Sequence, residues 1–413
     1  MPPTIRPVRD DELASWFAAF GTAFYIWASD PEASAAARRP SMDLERTIGA
    51  FDDDAIVGTF RTFPTKLTLP GCARVDVSAV SAVSVRPTHR RRGILTQLIA
   101  DDVRRSVDRG DVASILIAAE WPIYGRFGYG PATWQAEWSF RTRQADVIAE
   151  PVGSVEIIDR RRAREILPDL YDRCAAKQPG EIGRTLARWD NELGIVEIPG
   201  RPAWRGAVVL HRNAAGEPDG FARFHGEEHW VDMSPDHVML VDDLHGETPE
   251  AELDLWRHLA QMDLTATIRT EHPRRPMEPL KWILSNPRAA QVSGHADFLW
   301  VRIFDVPGFL GARTYAGDGA IVIEVKDDLG GKDGPAAGRY RLEVQDGVAT
   351  CERTRSAPDL SVDVRSLSAA SLGGTRLVDA TRAQPFEEHR SGALADADAL
   401  FLTPDPPWCS TWF

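Results

Sequence analysis

Residues 77–103 constrain the fold more than any other stretch of this chain. An apolar segment from Val77 to Val85 stops at Pro87, and a basic turn, His89–Arg92, follows it. Gly93 then opens onto Ile94, Leu95, Leu98, Ile99 and Val103, spaced as one face of a helix. A strand that runs through a cationic glycine turn into a helix start aims free N–H groups and the positive end of the helix dipole at one point. That point is an anion site. Asp101, Asp102, Arg104 and Arg105 fall largely on the outward face, and Gly110 suits a left-handed cap. Ser114–Ala119 is a continuous apolar run that reads as a strand buried on both faces. Together the three elements make a βαβ unit, so the fold class is α/β.

The rest of the chain extends this unit. A strand at Thr4–Pro7 precedes a helix that Asp10 or Asp11 can cap, with Leu13, Trp16, Phe17, Phe20, Phe24 and Trp27 at helical spacing. The stripe reads as core, with the alternative that Phe24–Trp27 also walls a pocket. Ala55–Phe63 and Thr65–Leu69 are expected strands that lead to a turn at Pro70-Gly71. Past a boundary at Glu150–Pro151 the pattern repeats. Val155–Asp159 is a strand, Arg160–Lys177 a helix, His237–Leu244 a strand, Thr248 a cap for a helix through Met262, and Thr265–Thr270 a strand. Where the first copy has its basic turn, the second has Asp242, Asp243, Glu247 and Glu250, which would repel a polyanion. From about Asp297 alternating strands dominate: FLWVRIF, AIVIEVKD, a Gly/Asp/Pro loop, YRLEVQ, an Asp346-Gly347 turn and VATCERT. A helix is expected to begin at Asp305–Val306 and another to span Ala393–Leu402.

With 413 residues the chain is long enough for two or three domains of about 150 residues. A net charge of −13 argues against a nucleic-acid partner or an anionic membrane surface and favours cationic substrates. Cys72, Cys174, Cys351 and Cys409 are widely spaced and suggest neither a disulfide framework nor a zinc site. The N-terminus lacks a signal-peptide pattern and no apolar run approaches a membrane span, so a cytoplasmic protein is expected. HExxH, GxSxG and GxxxxGK[ST] patterns do not occur.

Two strings carry a family resemblance. RRRGIL resembles the pyrophosphate-binding signature of GNAT acyltransferases, Arg or Gln followed by x-x-Gly-x-Gly or Ala, with Arg90 and Gly93 in register and Leu95 at a position usually small. PTHRRRG, followed later by IYGRFGYGPAT, resembles the Eis group of GNAT enzymes. This likeness implies an α/β (α+β) chain of tandem GNAT-like domains, the second lacking the CoA motif, plus a C-terminal sterol-carrier-protein-like α/β domain. The expected divisions are 1–150, 151–292 and 293–413. In the GNAT fold two central strands splay apart and the pantetheine arm lies in the gap. Acetyl-CoA is the implied co-substrate, with one per chain and no metal. A hexamer is implied as the assembly.

The resemblance also assigns residues. Arg90, Arg91, Arg92, Gly93, Ile94 and Leu95 bind the pyrophosphate, while Val83, Ser84 and Val85 meet the acetyl-pantetheine arm. Tyr124 matches the position that protonates the CoA thiolate, which a correctly placed phenol of pKa near 10 can do. A packed tyrosine is the other reading, favoured for Tyr129. At the chain end, Trp408, Trp412 and Phe413 would gain much from burial although termini usually fray. In the Eis group the carboxylate of a final Phe is the proposed general base, and Phe413 matches it. Its intrinsic pKa of about 3.5 also suits the simpler role of orienting a cationic amine. Phe24, Ile26, Trp27 and Trp412 match the amine pocket. Ile26 and Trp412 stand where aminoglycoside-acetylating members carry acids, so a hydrophobic or peptidic amine is expected, with Asp30, Glu32 and Glu120 as remaining sources of negative charge. Glu120 is a rival base or a loop carboxylate, and His89 reads as structural. These residues describe an acetyl-CoA-dependent N-acetyltransferase for a small amine, aminoglycoside-like, polyamine or more apolar. A protein-lysine acetyltransferase and a non-catalytic lipid- or CoA-binding protein are the alternatives.

Overall fold

The computed structural model describes residues 3–413 apart from 149, 201, 273 and 330–332. The tip of the expected Gly/Asp/Pro loop, 330–332, therefore lies outside the described residues. A short strand β1 (Thr4–Pro7) leads through a 3-10 turn into α1 (Leu13–Phe24), followed by α2 (Pro31–Arg38), β2 (Thr47–Asp52), β3 (Ala55–Thr68) and β4 (Arg74–Val85). Neither Asp10 nor Asp11 caps α1, a correction to the sequence reading. Both lie in the preceding 3-10 turn, where Asp10 pairs with Arg39 and Asp11 with Arg9. Trp16 anchors α1 by burying its ring completely and donating its indole N–H to the Ile48 carbonyl at 2.8 Å. The two strands expected around Pro64 are one. Pairing to β2 ends at Arg61, so at Pro64 β3 has a free edge where a missing N–H costs nothing, before Lys66–Thr68 take up the 180–183 segment.

β4 runs into α3 (Ile94–Arg109), which ends at Gly110 with φ 82° and returns to β5 (Ala113–Ile117), parallel to β4. Ile94, Leu98, Ile99 and Val103 are buried under α3 as the spacing requires. Asp102 is not on the outward face. It is buried, its Oδ2 lacks a partner, and burial pushes its carboxyl up to about 7 against the opposing pull of Arg109. Because the folded value lies above the unfolded one, the stabilisation is complete below about pH 4 and is lost as pH rises through about 7, an effect of roughly 4 kcal/mol at most. Thermal melts should therefore show a contribution that falls between about pH 4 and pH 7 and that Asp102→Asn largely removes.

The first sheet has the order β1-β2-β3-β4-β5-β16-β6, where β16 is Leu299–Ile303 and β6 is Gly130–Pro131. The second has the order β15-β7-β14-β13-β10-β9-β8. Its members are β7 (Trp134–Arg141), β8 (Ser154–Ile158), β9 (Ala207–Arg212), β10 (Pro218–Glu227), β13 (His237–Gly246), β14 (Thr265–Thr270) and β15 (Ala290–Asp297). A small hairpin of β11 (Trp230–Val231) and β12 (Ser234–Pro235) stands apart. The second sheet repeats the first, for β13 and β14 are parallel as β4 and β5 are. Each sheet takes the strand beside its parallel pair from outside its own sequence range. β16 lies against β5, and β7 lies against β14. The sheets thus divide after β6, earlier than Glu150–Pro151, and FLWVRIF completes the first sheet rather than opening the third domain. α5 (Arg160–Ala175), capped by Asp159, α6 (Leu186–Glu192) and α7 (Pro249–Ala260), capped by Thr248, accompany the second sheet.

The last domain starts with α8 (Val306–Ala312), capped by Asp305, and carries a sheet ordered β19-β18-β17-β20-β21. Its strands are β17 (Gly319–Lys326), β18 (Gly338–Gln345), β19 (Val348–Arg353), β20 (Leu360–Asp363) and β21 (Phe386–Glu388). Asp346 and Gly347, both at positive φ, form the tight turn between β18 and β19. The helices are α9 (Val364–Ala370), α10 (Leu377–Ala380) and α11 (Ala393–Phe401). One apolar core joins this domain to the first sheet, with Ala79, Ile115, Val301 and Ile303 against Phe309, Leu342 and Leu367. The first sheet thus has α3 on one face and the last domain on the other.

Candidate active site

β4 and β5 pair only from Val77–Ala113 to Val80–Leu116, and β4 then continues to Val85 with β3 alone as neighbour. Ala82 marks the departure, with φ 51° where the register to β3 shifts. The backbone of Val83, Ser84 and Val85 is consequently open on the β5 side. Val83 and Val85 pack against the cluster under α3, whereas Ser84 turns its hydroxyl to Thr59 at 2.7 Å.

Beyond β4 the chain makes a 3-10 turn at Pro87–His89. His89 fastens this turn to the β2–β3 turn through Asp52 Oδ2 at 3.0 Å, which agrees with a structural role. Arg91 at φ 63° and Gly93 at φ 76° wind the next residues into a concave run of backbone with Arg90, Arg91 and Arg92 exposed around it. At Gly93 no atom lies within 4 Å of where a Cβ would be, so glycine is required by its φ and the approach from outside is open. α3 has neither a side-chain cap nor an acid in its first turn. Its leading N–H groups therefore have no side-chain capping partner. Ile94 is buried, and Leu95 packs against the core under α3.

The equivalent start in the second repeat is closed. Thr248 accepts from the Ala251 N–H at 3.2 Å, and Glu250 and Glu252 occupy the first turn of α7. Burial opposes the charge of Asp243, but Arg184 and His245 hold its carboxyl well below the usual range. The gap beyond the β13–β14 pairing is also filled, since Trp408 stacks on His245 at 5.6 Å and Arg274 lies over the same indole at 4.8 Å.

Tyr124 ends the single-turn helix α4 (Trp121–Tyr124), just past β5. It is 7 % exposed, lies edge-on to Tyr129 at 6.0 Å, and belongs to the cluster with Val80, Leu116 and Ile94 on the α3 face. Among the described residues its hydroxyl has no hydrogen-bond partner, whereas that of Tyr129 is held by Ser114 Oγ at 2.8 Å. Burial, with a smaller contribution from Glu120, pushes the Tyr124 phenol up to about 12. Glu120 is exposed at the start of α4 and does not cap it.

Phe413 comes from the opposite face. Its ring meets Phe63 edge-on at 5.5 Å, and Phe63 pairs with Ala79, one residue before the β4–β5 pairing ends. The chain end therefore arrives at the mouth of the splay. Among the described residues its carboxylate has no ion-pair partner within 4 Å. Trp412 is 56 % exposed, tilts against Phe298 at 5.7 Å, and accepts a bond from Arg188 at its carbonyl. Phe24, Tyr25, Ile26 and Trp27 are exposed at the end of α1, where Tyr25 takes φ 57°. Tyr124 and the open turn thus border the end of the β4–β5 pairing on the α3 face, Phe413 approaches the strands from the other face, and Phe24–Trp27 form an exposed apolar edge at the end of α1. Sequence reasoning missed Phe63, Arg188 and the residues that hold the tail. The polar triplet Cys-Ser-Thr between Trp408 and Trp412 was the available signal.

A cavity of about 1520 Å³ lies across the α4 turn. Gly125, Arg126, Glu324, Asp327, Arg339 and Asp363 are among its lining residues. No helix among the described residues is long and apolar enough to cross a membrane.

Residues 4–132 and 180–303 each match the acetyltransferase (GNAT) domain family, and residues 306–410 match the sterol carrier protein domain family. The chain is 39% identical over 415 residues to an uncharacterized N-acetyltransferase of Streptomyces avermitilis, covering 99% of this chain and 98% of that protein. N-acetyltransferase Eis of Mycobacterium tuberculosis is 32% identical over 367 residues, 87% of this chain and 86% of its own. The crystal structure of Eis1 from Mycobacterium abscessus, 31% identical, superposes with a TM-score of 0.86 over 99% of this chain and 100% of that one. Likeness of this extent, running through all three domains, makes this chain an enzyme of the Eis-type GNAT N-acetyltransferase family.

Proposed function

We propose that the enzyme transfers acetyl from acetyl-CoA directly to the primary amine of an apolar or peptidic small molecule. The observation that carries this reading is the uncapped, arginine-fronted helix start beyond an opened β4, with a buried phenol on the α3 face and the chain end packed on Phe63 beside the end of the β4–β5 pairing. Acetyl-CoA supplies the acyl group as a thioester. Arg90–Arg92 and the N–H groups from Gly93 to Leu95 hold its pyrophosphate, and the open backbone of Val83–Val85 lines the path of the pantetheine arm. Phe413, directly or through water, orients the amine and takes its proton as nitrogen bonds to the acyl carbon. As the carbon–sulfur bond breaks, Tyr124 donates its O–H to the departing sulfur, and a backbone N–H near Val83–Val85 faces the acyl oxygen.

The Tyr124 value refines that role. At about 12 the phenol is a weaker acid than a thiol near 8.5, so complete proton transfer to a free thiolate is uphill by roughly 5 kcal/mol. Its contribution is therefore a hydrogen bond to the charge growing on sulfur, with the net proton supplied by the amine through Phe413. The acceptor class is supported by the exposed aromatic and aliphatic side chains of Trp412, Phe24, Ile26 and Trp27, the residues matched to the amine pocket, which would offer a polycation no carboxylate.

A panel of aminoglycosides, polyamines, lysine peptides and arylalkylamines in one thiol-release assay tests the reading. Thiol release should depend on the amine, with kcat/KM for arylalkylamines or peptides above that for aminoglycosides by about tenfold or more. Release with aminoglycosides alone would reverse the acceptor assignment, and none with any amine would overturn the activity.

A further inference from the structure

We propose that the second GNAT-like domain, closed to CoA, is retained as a clamp on the catalytic tail, with Glu181, Arg184 and Thr411 as positioning residues. This rests on the assignment of the Phe413 carboxylate as the group that handles the amine proton. Chain termini ordinarily fray, yet Trp408, Cys409, Ser410 and Thr411 are all buried, within two residues of the last atom.

Two side chains account for that order. Glu181 is 1 % exposed and has no cationic partner among the described residues. Three of the donors on its carboxylate come from the tail: the Ser410 N–H at 2.8 Å, the Thr411 hydroxyl at 3.2 Å and the Cys409 thiol at 3.5 Å. The fourth is the Ile182 N–H at 3.1 Å. A buried carboxylate is costly unless fully hydrogen-bonded, so displacing the tail would leave this one stripped of most of its donors. Arg184 grips from the other side. Its Nε donates to Thr411 Oγ1 at 2.9 Å and its Nη2 to Ser410 Oγ at 2.8 Å. Tyr171, under the guanidinium at 4.0 Å, adds a bond to Thr411 Oγ1 at 2.8 Å.

The guanidinium is itself fixed from inside the second repeat. It pairs with Asp243 and with Glu192 Oε2 at 3.3 Å, and Asp243 is held again by His245 at 2.7 Å. Asp243 and His245 lie not in a turn but in β13, on the stretch past its pairing with β14 that corresponds to the opened part of β4, and His245 carries the stacked Trp408. The features that exclude CoA from this repeat are thus the ones that hold the tail. Glu181 also sits on a segment bonded to the first sheet, through Thr68 N–H to the Glu181 carbonyl at 3.0 Å. The clamp therefore fixes Thr411 relative to β3, the strand whose Phe63 receives Phe413.

The test compares Thr411→Val, which is isosteric but lacks the hydroxyl, with Thr411→Ser, which keeps it, and with Glu181→Gln and a chain lacking Phe413. Thr411→Val and Glu181→Gln should lower kcat by about tenfold with KM for acetyl-CoA changed less than about twofold, since the CoA turn is untouched. Thr411→Ser should restore kcat. Carboxypeptidase A should release Phe413 faster from Thr411→Val than from the parent or Thr411→Ser. Full kcat together with unchanged Phe413 release in Thr411→Val, in a protein whose Phe413 deletion is inactive, would overturn the clamp alone. Full activity after deletion of Phe413 would overturn the carboxylate assignment and the clamp with it.

Discussion

Deleting Phe413, or extending the chain by two residues past it, is expected to lower amine-dependent thiol release by roughly 10²–10⁴-fold, the range for loss of a positioned proton acceptor. Deletion moves the carboxylate one residue back to exposed Trp412, away from the mouth of the β4–β5 splay. Extension replaces the carboxylate by a neutral amide in the same place and sends the new terminus elsewhere. Both changes leave Arg90–Leu95 intact, so KM for acetyl-CoA should hold within about threefold while kcat collapses. A loss confined to KM would instead mean that the tail only shapes the pocket. Replacing Phe413 by Leu keeps the carboxylate but removes the edge contact with Phe63, and it should cost far less than the deletion.

The second large effect is expected from Tyr124→Phe, a fall in kcat of about 10²–10³-fold. The ring that packs against Tyr129, Val80 and Leu116 is kept, so the variant should fold normally. The pH dependence makes this more than a test of importance. A phenol raised to about 12 stays protonated through the whole working range, so neither protein should show a limb from this group below about pH 10. The variant profile should be lower and of the same shape. Acyl donors whose leaving thiol is more acidic need less help at sulfur, and with them the penalty should shrink. An undiminished penalty with such a donor would remove Tyr124 from the leaving-group side of the reaction.

Much of the first domain could be read from local sequence. Strand, basic turn, Gly93 and α3 announce themselves by periodicity and by one residue that must take a positive φ. Thr248, Asp305 and the Asp346-Gly347 turn are equally local and stand where the sequence places them. Asp10 and Asp11 show the limit of that approach. Either could cap α1, and two arginines claimed them instead. Asp102 is a similar case, for its position on α3 looked outward, yet the fold buries it near Arg46, Arg109 and Asp111. The exchange of β7 and β16 between sheets had no local sign at all, because a strand's pattern records its faces and not its edge partner. The tail was half legible. Its aromatics declared burial, but Phe63, Glu181 and Arg184 lie hundreds of residues away.

That exchange has a consequence for synthesis. While the ribosome makes the second domain, β5 has β4 on one side and a bare ladder of N–H and C=O groups on the other. Its partner is roughly 180 residues away, a wait of roughly 10–40 s at ordinary elongation rates. The nascent first domain must spend that interval with an unpaired edge at its most apolar strand, a template for pairing with neighbouring chains. Fragments cut at the apparent domain boundary should inherit the same defect permanently, and the enzyme is better regarded as one folding unit whose first sheet closes late.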